Sequence, residues 1–130
     1  PDMKRQIATD RAARPGGPYS QAIVAGDYIF VAGQGPITPD GRVIRGTIAE
    51  QTRLTLENIR EILHAAGAGL EDVVRVAAHL SELNEENFRQ FNEVYMEYFR
   101  EPYPARITVG SRLLGIDVEI EVVAYKGRPS

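Results

Sequence analysis

The chain has 130 residues, a quarter of them charged, with a formal net charge of −3, two histidines and no cysteine. Its length fits one domain, residues 1–130, with a core of its own, and the missing cysteines exclude disulfides, thiol catalysis and thiolate metal sites. Two histidines fall short of a zinc centre, so no metal is expected, and the acidic balance argues against a nucleic-acid partner. No apolar run approaches the roughly 20 residues of a membrane span, so no membrane association is expected. The start lacks the apolar core of a signal peptide, which makes the cytoplasm the expected address. Pro1 and Asp2 precede Met3 and are read as extraneous to the natural chain; an amino-terminal proline serves as a base in some enzymes, but nothing else supports that role here.

A short strand is expected around Lys4 to Ala8, followed by a Gly- and Pro-rich loop, Arg14-Pro-Gly-Gly-Pro18. Tyr19 to Ala25, Gly26-Asp27 and Tyr28 to Ala32 then read as strand, tight turn and strand. The second strand runs into Gly33-Gln34-Gly35-Pro36, where glycines permit unusual backbone angles or close approach of a small ligand to main-chain groups; a plain loop reads the same way. No phosphate loop is present. Pro39-Asp40-Gly41 marks another turn.

Thr47 to Glu50 matches a capping box, and a long amphipathic helix should follow. Ile48, Thr52, Leu56, Ile59, Leu63 and Ala66 fall on one face, with Arg53, Glu57, Arg60, Glu61 and His64 on the other and Gly67 as the stop. Asp72 leads into a strand, Val73 to Leu80, whose alternation puts Val74, Val76, Ala78 and Leu80 against Val73, Arg75, Ala77 and His79. Arg75 and His79 either line a pocket or decorate a sheet edge. A second helix begins at the N-cap Asn84 and carries a core stripe of Phe88, Phe91, Tyr95 and Tyr98 with Phe99 before Glu101-Pro102.

The stretch Pro104 to Glu121 reads as two strands joined by a short Gly-containing turn. Arg106 opens the first, and Glu119 and Glu121, two apart on the second, face the same side. An alternating apolar and charged strand is also what a solvated sheet face looks like. The sum is an α+β domain of two helices and about six strands in a mixed sheet. Two helices cover one face, and the mixed residues on the other suggest that copies of the chain cover it, so a homo-oligomer is expected.

Gly17-Pro-Tyr-Ser-Gln-Ala22, Ala32-Gly33-Gln34, Pro104-Ala-Arg106 and Val118-Glu-Ile-Glu-Val-Val-Ala124 occur together and in order. Through them the chain resembles the RidA (YjgF) family of reactive-intermediate deaminases from about Gly17 to Tyr125. The resemblance implies a chorismate-mutase-like fold, a homotrimer around a central barrel, and sites in clefts between subunits. It implies hydrolysis of 2-imino acids, tautomers of enamines such as 2-aminoacrylate, to 2-oxo acids and ammonia, with no cofactor. Carried across, the carboxylate-binding arginine falls on Arg106, the water-orienting glutamate on Glu119 and the ring shaping the pocket on Tyr19. Backbone groups around Ala32 and Gly33 would meet the substrate nitrogen.

This chain departs from the family pattern at Thr108, where many members have cysteine, at Ala32, where serine is frequent, and in a shorter connection from Arg112 to Glu119. Any thiol role is absent, and Thr108 would offer the substrate a hydroxyl instead. Two other readings belong to different classes. One is an endoribonuclease or translation inhibitor, which would need a basic track; the other is a non-catalytic small-carboxylate binder or chaperone-like module.

Overall fold

The first long-range pairing is a hairpin. β2 (Ala22–Ala25) and β3 (Tyr28–Gln34) pair antiparallel, and Ala25 opposite Tyr28 closes a two-residue turn in which Gly26 takes φ 61°. The computed structural model describes residues 3–127, so Pro1 and Asp2 lie outside it. β1 (Arg5–Ile7) adds to the outer edge of β2. Tyr19 and Ser20 precede the strand rather than opening it, because Gln21 is buried and committed to the loop before it. Its Nε2 donates to the carbonyls of Thr9 (3.0 Å) and Ala13 (2.8 Å), and its Oε1 accepts from the Thr9 N–H at 2.7 Å.

α1 (Ile48–Ala65) starts at the predicted capping box: the Glu50 N–H donates to Thr47 Oγ1 at 3.1 Å, and the Thr47 N–H donates to Glu50 Oε1 at 2.9 Å. Gly67, at φ 80°, follows its end as expected. The buried face is wider than the apolar pattern indicated. Besides Ile62 it includes Gln51, Thr55 and Asn58, each hydrogen-bonded through its side chain. Asn58 Nδ2 donates to the carbonyls of Gly35 (3.1 Å) and Ile37 (2.8 Å), tying the end of β3 to the helix.

A 3₁₀ turn, Leu70–Asp72, leads into β4 (Val73–Leu80). Simple alternation fails at its start. Val73 lies opposite Ala124 and Arg75 opposite Val123, so Val74 is the extra residue of a bulge. Val73 therefore enters the core beside Val76, whereas Val74 is 46% exposed. α2 (Glu85–Tyr98) is capped by Asn84, whose side chain accepts from the Asn87 N–H. Phe91, Tyr95 and Phe99 are core, but Phe88 is 39% exposed, contrary to the expectation of an unbroken core stripe. It belongs to a turn of α2 that meets an arginine at the sheet edge.

β5 (Ala105–Gly110) and β6 (Val118–Tyr125) are not neighbours, although they follow one another in sequence. β4 lies between them, parallel to β5 and antiparallel to β6, so the order is β1-β2-β3-β6-β4-β5. The connecting loop passes the end of β4. It is pinned there by the Ser111 N–H donating to the Leu80 carbonyl and the Ser81 N–H donating to that of Asp117, each at 2.9 Å.

Both helices occupy one face. Val76, Ala78 and Leu80 of β4 and Val118, Ile120 and Val122 of β6 are buried there with Leu56, Ile59 and Leu63 of α1 and Phe91 of α2. Each of the larger side chains among them stabilises the fold by about 1.5–3 kcal/mol relative to exposure. On the opposite face Tyr28, Phe30, Ile107 and Tyr125 are exposed beside Arg75, Glu119 and Glu121. No helix among the described residues is long and apolar enough to cross a membrane.

Candidate active site

Arg106 sits on the edge strand β5, opposite Val76, so its side chain projects to the helix-covered face. Its guanidinium carbon lies 4.6 Å from the ring centre of Tyr95, 5.3 Å from that of Phe91 and 5.6 Å from that of Phe88. Nη2 donates to Asn92 Oδ1 at 2.8 Å. No carboxylate pairs with it: the ion pairs among the described residues engage Arg42, Arg53, Arg60 and Arg89. Burial lowers the Arg106 pKa, with the Tyr95 hydroxyl beside it offsetting part of the effect, but a guanidinium stays protonated in proteins. The result is a cation held by rings and a neutral amide, with donors to spare.

In front of it lies a mainly apolar hollow of about 370 Å³, lined by Asn92, Tyr95, Met96, Tyr103, Pro104 and Arg106. The Tyr95 hydroxyl is buried without a well-formed hydrogen bond, and burial pushes its pKa up. Thr108, two residues along β5, shares the helix-covered face with Arg106.

Glu119 and Glu121 share the other face, as the strand period required. A Cβ built on Gly33 would come within 2.8 Å of Glu119 Oε2, so the glutamate side chain occupies the space this glycine leaves open. A larger residue there would push the Glu119 carboxylate aside. Ala32 and Gly33 fall within a bulge of β3, between the pairs Val31 with Val122 and Gln34 with Ile120. The Ala32 N–H already donates to the Gln21 carbonyl at 2.9 Å, and its carbonyl accepts from Gln34 Nε2 at 3.0 Å. Of these two positions, Ala32 thus has only the second lone pair of its carbonyl to offer a ligand. Gly33 also lines a second hollow of about 270 Å³, together with Tyr19, Gln21 and the Ala13–Gly16 loop. Tyr19 is half-exposed, and its hydroxyl accepts from the Gly16 N–H at 3.1 Å.

The candidate site residues of one chain thus fall into two groups. Gly33 adjoins Glu119 and shares a hollow with Tyr19, and Arg106 and Thr108 stand together, but Glu119 projects from the face opposite to that of Arg106 and Thr108. Arg106 and Glu119 are two strand spacings apart, about 10 Å, before the sheet's thickness is added. Asn92 and the aromatic cradle were not legible as site residues in the sequence. The available signal was an asparagine, a weak helix former, inside α2 and one residue beyond Phe91.

A family model described as Endoribonuclease L-PSP matches residues 9–126. The chain belongs to this family, the RidA (YjgF) family. A RutC family protein of Pyrococcus horikoshii is 51% identical over 127 residues, covering 95% of this chain and 99% of its own. Among solved structures, RidA from an Antarctic Psychrobacter is 36% identical with a TM-score of 0.87, over 93% of this chain and 98% of its own. TdcF of Escherichia coli, solved with bound serine, is 32% identical with a TM-score of 0.85, over 95% and 99%. The six-stranded sheet with two helices is the fold of these RidA-family structures.

Proposed function

We propose that the protein hydrolyses reactive 2-imino acids, the tautomers of small enamines such as 2-aminoacrylate, to 2-oxo acids and ammonia. The observation that carries this reading is Arg106: a half-buried guanidinium with no carboxylate partner, fronting a mainly apolar hollow. Such a cation matches the planar carboxylate of a 2-imino acid through two parallel N–H···O bonds. The serine bound to TdcF likewise carries a carboxylate with nitrogen on the adjacent carbon.

The proposal includes assembly. Because Arg106 and Glu119 project from opposite faces of one chain, the reaction needs a second copy to bring Glu119 opposite Arg106, as in a homotrimer with clefts between subunits. The exposed Tyr28, Phe30, Ile107 and Tyr125 suit burial in such an assembly. In the cleft Arg106 holds the carboxylate and places the C=N carbon, while Tyr19 and Gly33 shape the opposite wall. Glu119 orients a water and takes its proton as oxygen attacks carbon. Attack on the protonated imine leaves a neutral carbinolamine; the proton returned to its nitrogen makes an ammonium leaving group, and as the C–N bond breaks the remaining hydroxyl gives its proton to Glu119, leaving the 2-oxo acid and ammonia. The labile C=N bond requires no cofactor.

The test is ammonia release, or semicarbazone detection, with 2-imino acids generated in situ by an amino-acid oxidase. Faster hydrolysis than the oxidase-only control is expected; no acceleration across the panel refutes the reading. The family description also names an endoribonuclease. Salt-dependent RNA cleavage would favour that activity, against which the net charge of −3 stands.

A further inference from the structure

On the face away from the helices, one row crosses three strands: Ser111 after β5, His79 on β4 and Glu119 on β6. In the register His79 lies opposite Val109 on one side and Glu119 on the other. His79 Nδ1 is 2.8 Å from Ser111 Oγ, and Ser111 is itself fixed by its backbone bond to Leu80. The imidazole is thus half-buried and held at one nitrogen, leaving Nε2 as its other hydrogen-bonding atom. Directly opposed residues on one face have Cβ atoms about 4.5–5.5 Å apart, which puts an imidazole within rotamer reach of a carboxylate. Glu119 leans over Gly33 on its other flank and has no hydrogen-bond or ion-pair partner among the described residues. The register brings the His79 ring alongside this carboxylate, which has no donor of its own among the described residues.

We propose that His79 is a positioning residue for Glu119: Ser111 donates to Nδ1, fixing the neutral ring as the Nε2–H tautomer, and Nε2–H orients the carboxylate. The inference rests on the reading of Glu119 as the group that orients water. Charge decides the tautomer, because a bare Nε2 lone pair facing a carboxylate repels it whereas Nε2–H attracts it. The same register separates the two glutamates. Glu121 lies opposite Ala77 with no imidazole beside it, and shares a small hollow with Arg75, the other charged residue of this face.

Imidazole nitrogen-15 shifts test this directly, since the chain has only His64 and His79, and His64→Gln leaves one ring to assign. His79 is expected as the Nε2–H tautomer, with that preference weakened in Ser111→Ala. His79→Ala should lower kcat about ten- to a hundredfold while KM and 2-oxo acid binding, which belong to Arg106, stay unchanged. His79→Gln, whose amide N–H can serve the same carboxylate, should recover part of the loss. An Nδ1–H tautomer in the parental protein, or a folded His79→Ala at the parental kcat, overturns the proposal. Should His79→Ala fail to fold, the tautomer and the kcat of His79→Gln decide it, with an Nδ1–H ring overturning it as before. Glu119→Gln distinguishes the two levels: full turnover in that variant overturns the role of Glu119 and this inference together, whereas loss there beside an unaffected His79→Ala overturns this inference alone.

Discussion

Arg106 and the glutamates are where single atoms decide the outcome. Removing one partner of a desolvated charge pair costs roughly 2–5 kcal/mol. Arg106→Ala should therefore lower kcat/KM on 2-iminopropanoate by roughly thirtyfold to several thousandfold, at about 1.4 kcal/mol per decade. Arg106→Lys should rescue little, because an ammonium lacks the planar fork and stacks less well on Phe91 and Tyr95. Arg106→Lys should melt near the parent, whereas Arg106→Ala should melt somewhat lower because it loses the stacking on Phe91 and Tyr95 and the bond to Asn92, without unfolding, since no ion-pair partner is left stranded. Steady-state kinetics beside thermal melts check this, and parental turnover in a folded Arg106→Ala would end the carboxylate reading. Glu119→Gln should cost about 10²–10⁴-fold in kcat with 2-oxo acid binding kept, while Glu121→Gln should cost little. The reverse order would place the water on the other carboxylate.

At the scale of elements, the fold depends on joints as well as on strands and helices. The end of β4, the start of β6 and the buried side of α1 meet at Asp117, whose Oδ1 accepts from Ser81 Oγ at 2.7 Å and Oδ2 from Gln51 Nε2 at 2.9 Å. Its N–H donates in return to Gln51 Oε1 at 2.9 Å. These bonds, the Ser81 hydroxyl first and the Gln51 amide next, hold the Asp117 carboxyl below its usual range. A pKa lowered by folding adds stability above the unfolded value of about 4, and that stability is lost as the pH falls through the depressed folded value. Asp117→Asn should therefore melt lower than the parent at neutral pH, and the gap should close in acid. Melts from pH 7 down to about pH 2 would show it; a gap independent of pH would mean that the carboxylate charge plays no part in the joint.

For the whole molecule, the proposed pairing of Arg106 with Glu119 across copies predicts behaviour that no single chain can show. The protein should scatter light as a particle of three times the 14.4 kDa chain at micromolar concentration. Mixed assemblies of Arg106→Ala and Glu119→Gln chains should regain activity, because roughly a quarter of randomly formed clefts would pair an intact arginine with an intact glutamate. Recovery on co-refolding two inactive variants is the readout. Mixed trimers that stay inactive would place the complete site within one chain.

Much of this architecture was legible in the residues themselves. The capping box at Thr47, the turn at Gly26-Asp27, the N-cap Asn84 and the common face of Glu119 and Glu121 are local matters, set by backbone angles, orphan N–H groups and the two-residue strand period. Net charge, missing cysteines and the ordered motifs likewise needed no coordinates to narrow the chemistry and point to a family. The rest lay in pairings between distant segments, which leave no periodic trace. The bulge that turns Val74 outward and Val73 inward exists because β6 faces two residues of β4 with one of its own. The insertion of β4 between β5 and β6 brings His79 between Ser111 and Glu119. Phe88 left the expected core because α2 lays it against Arg106. Tertiary structure alone decided that Arg106 and Glu119 project from opposite faces, since a strand's own alternation names two sides but only the packing of helices on one of them says which side is which.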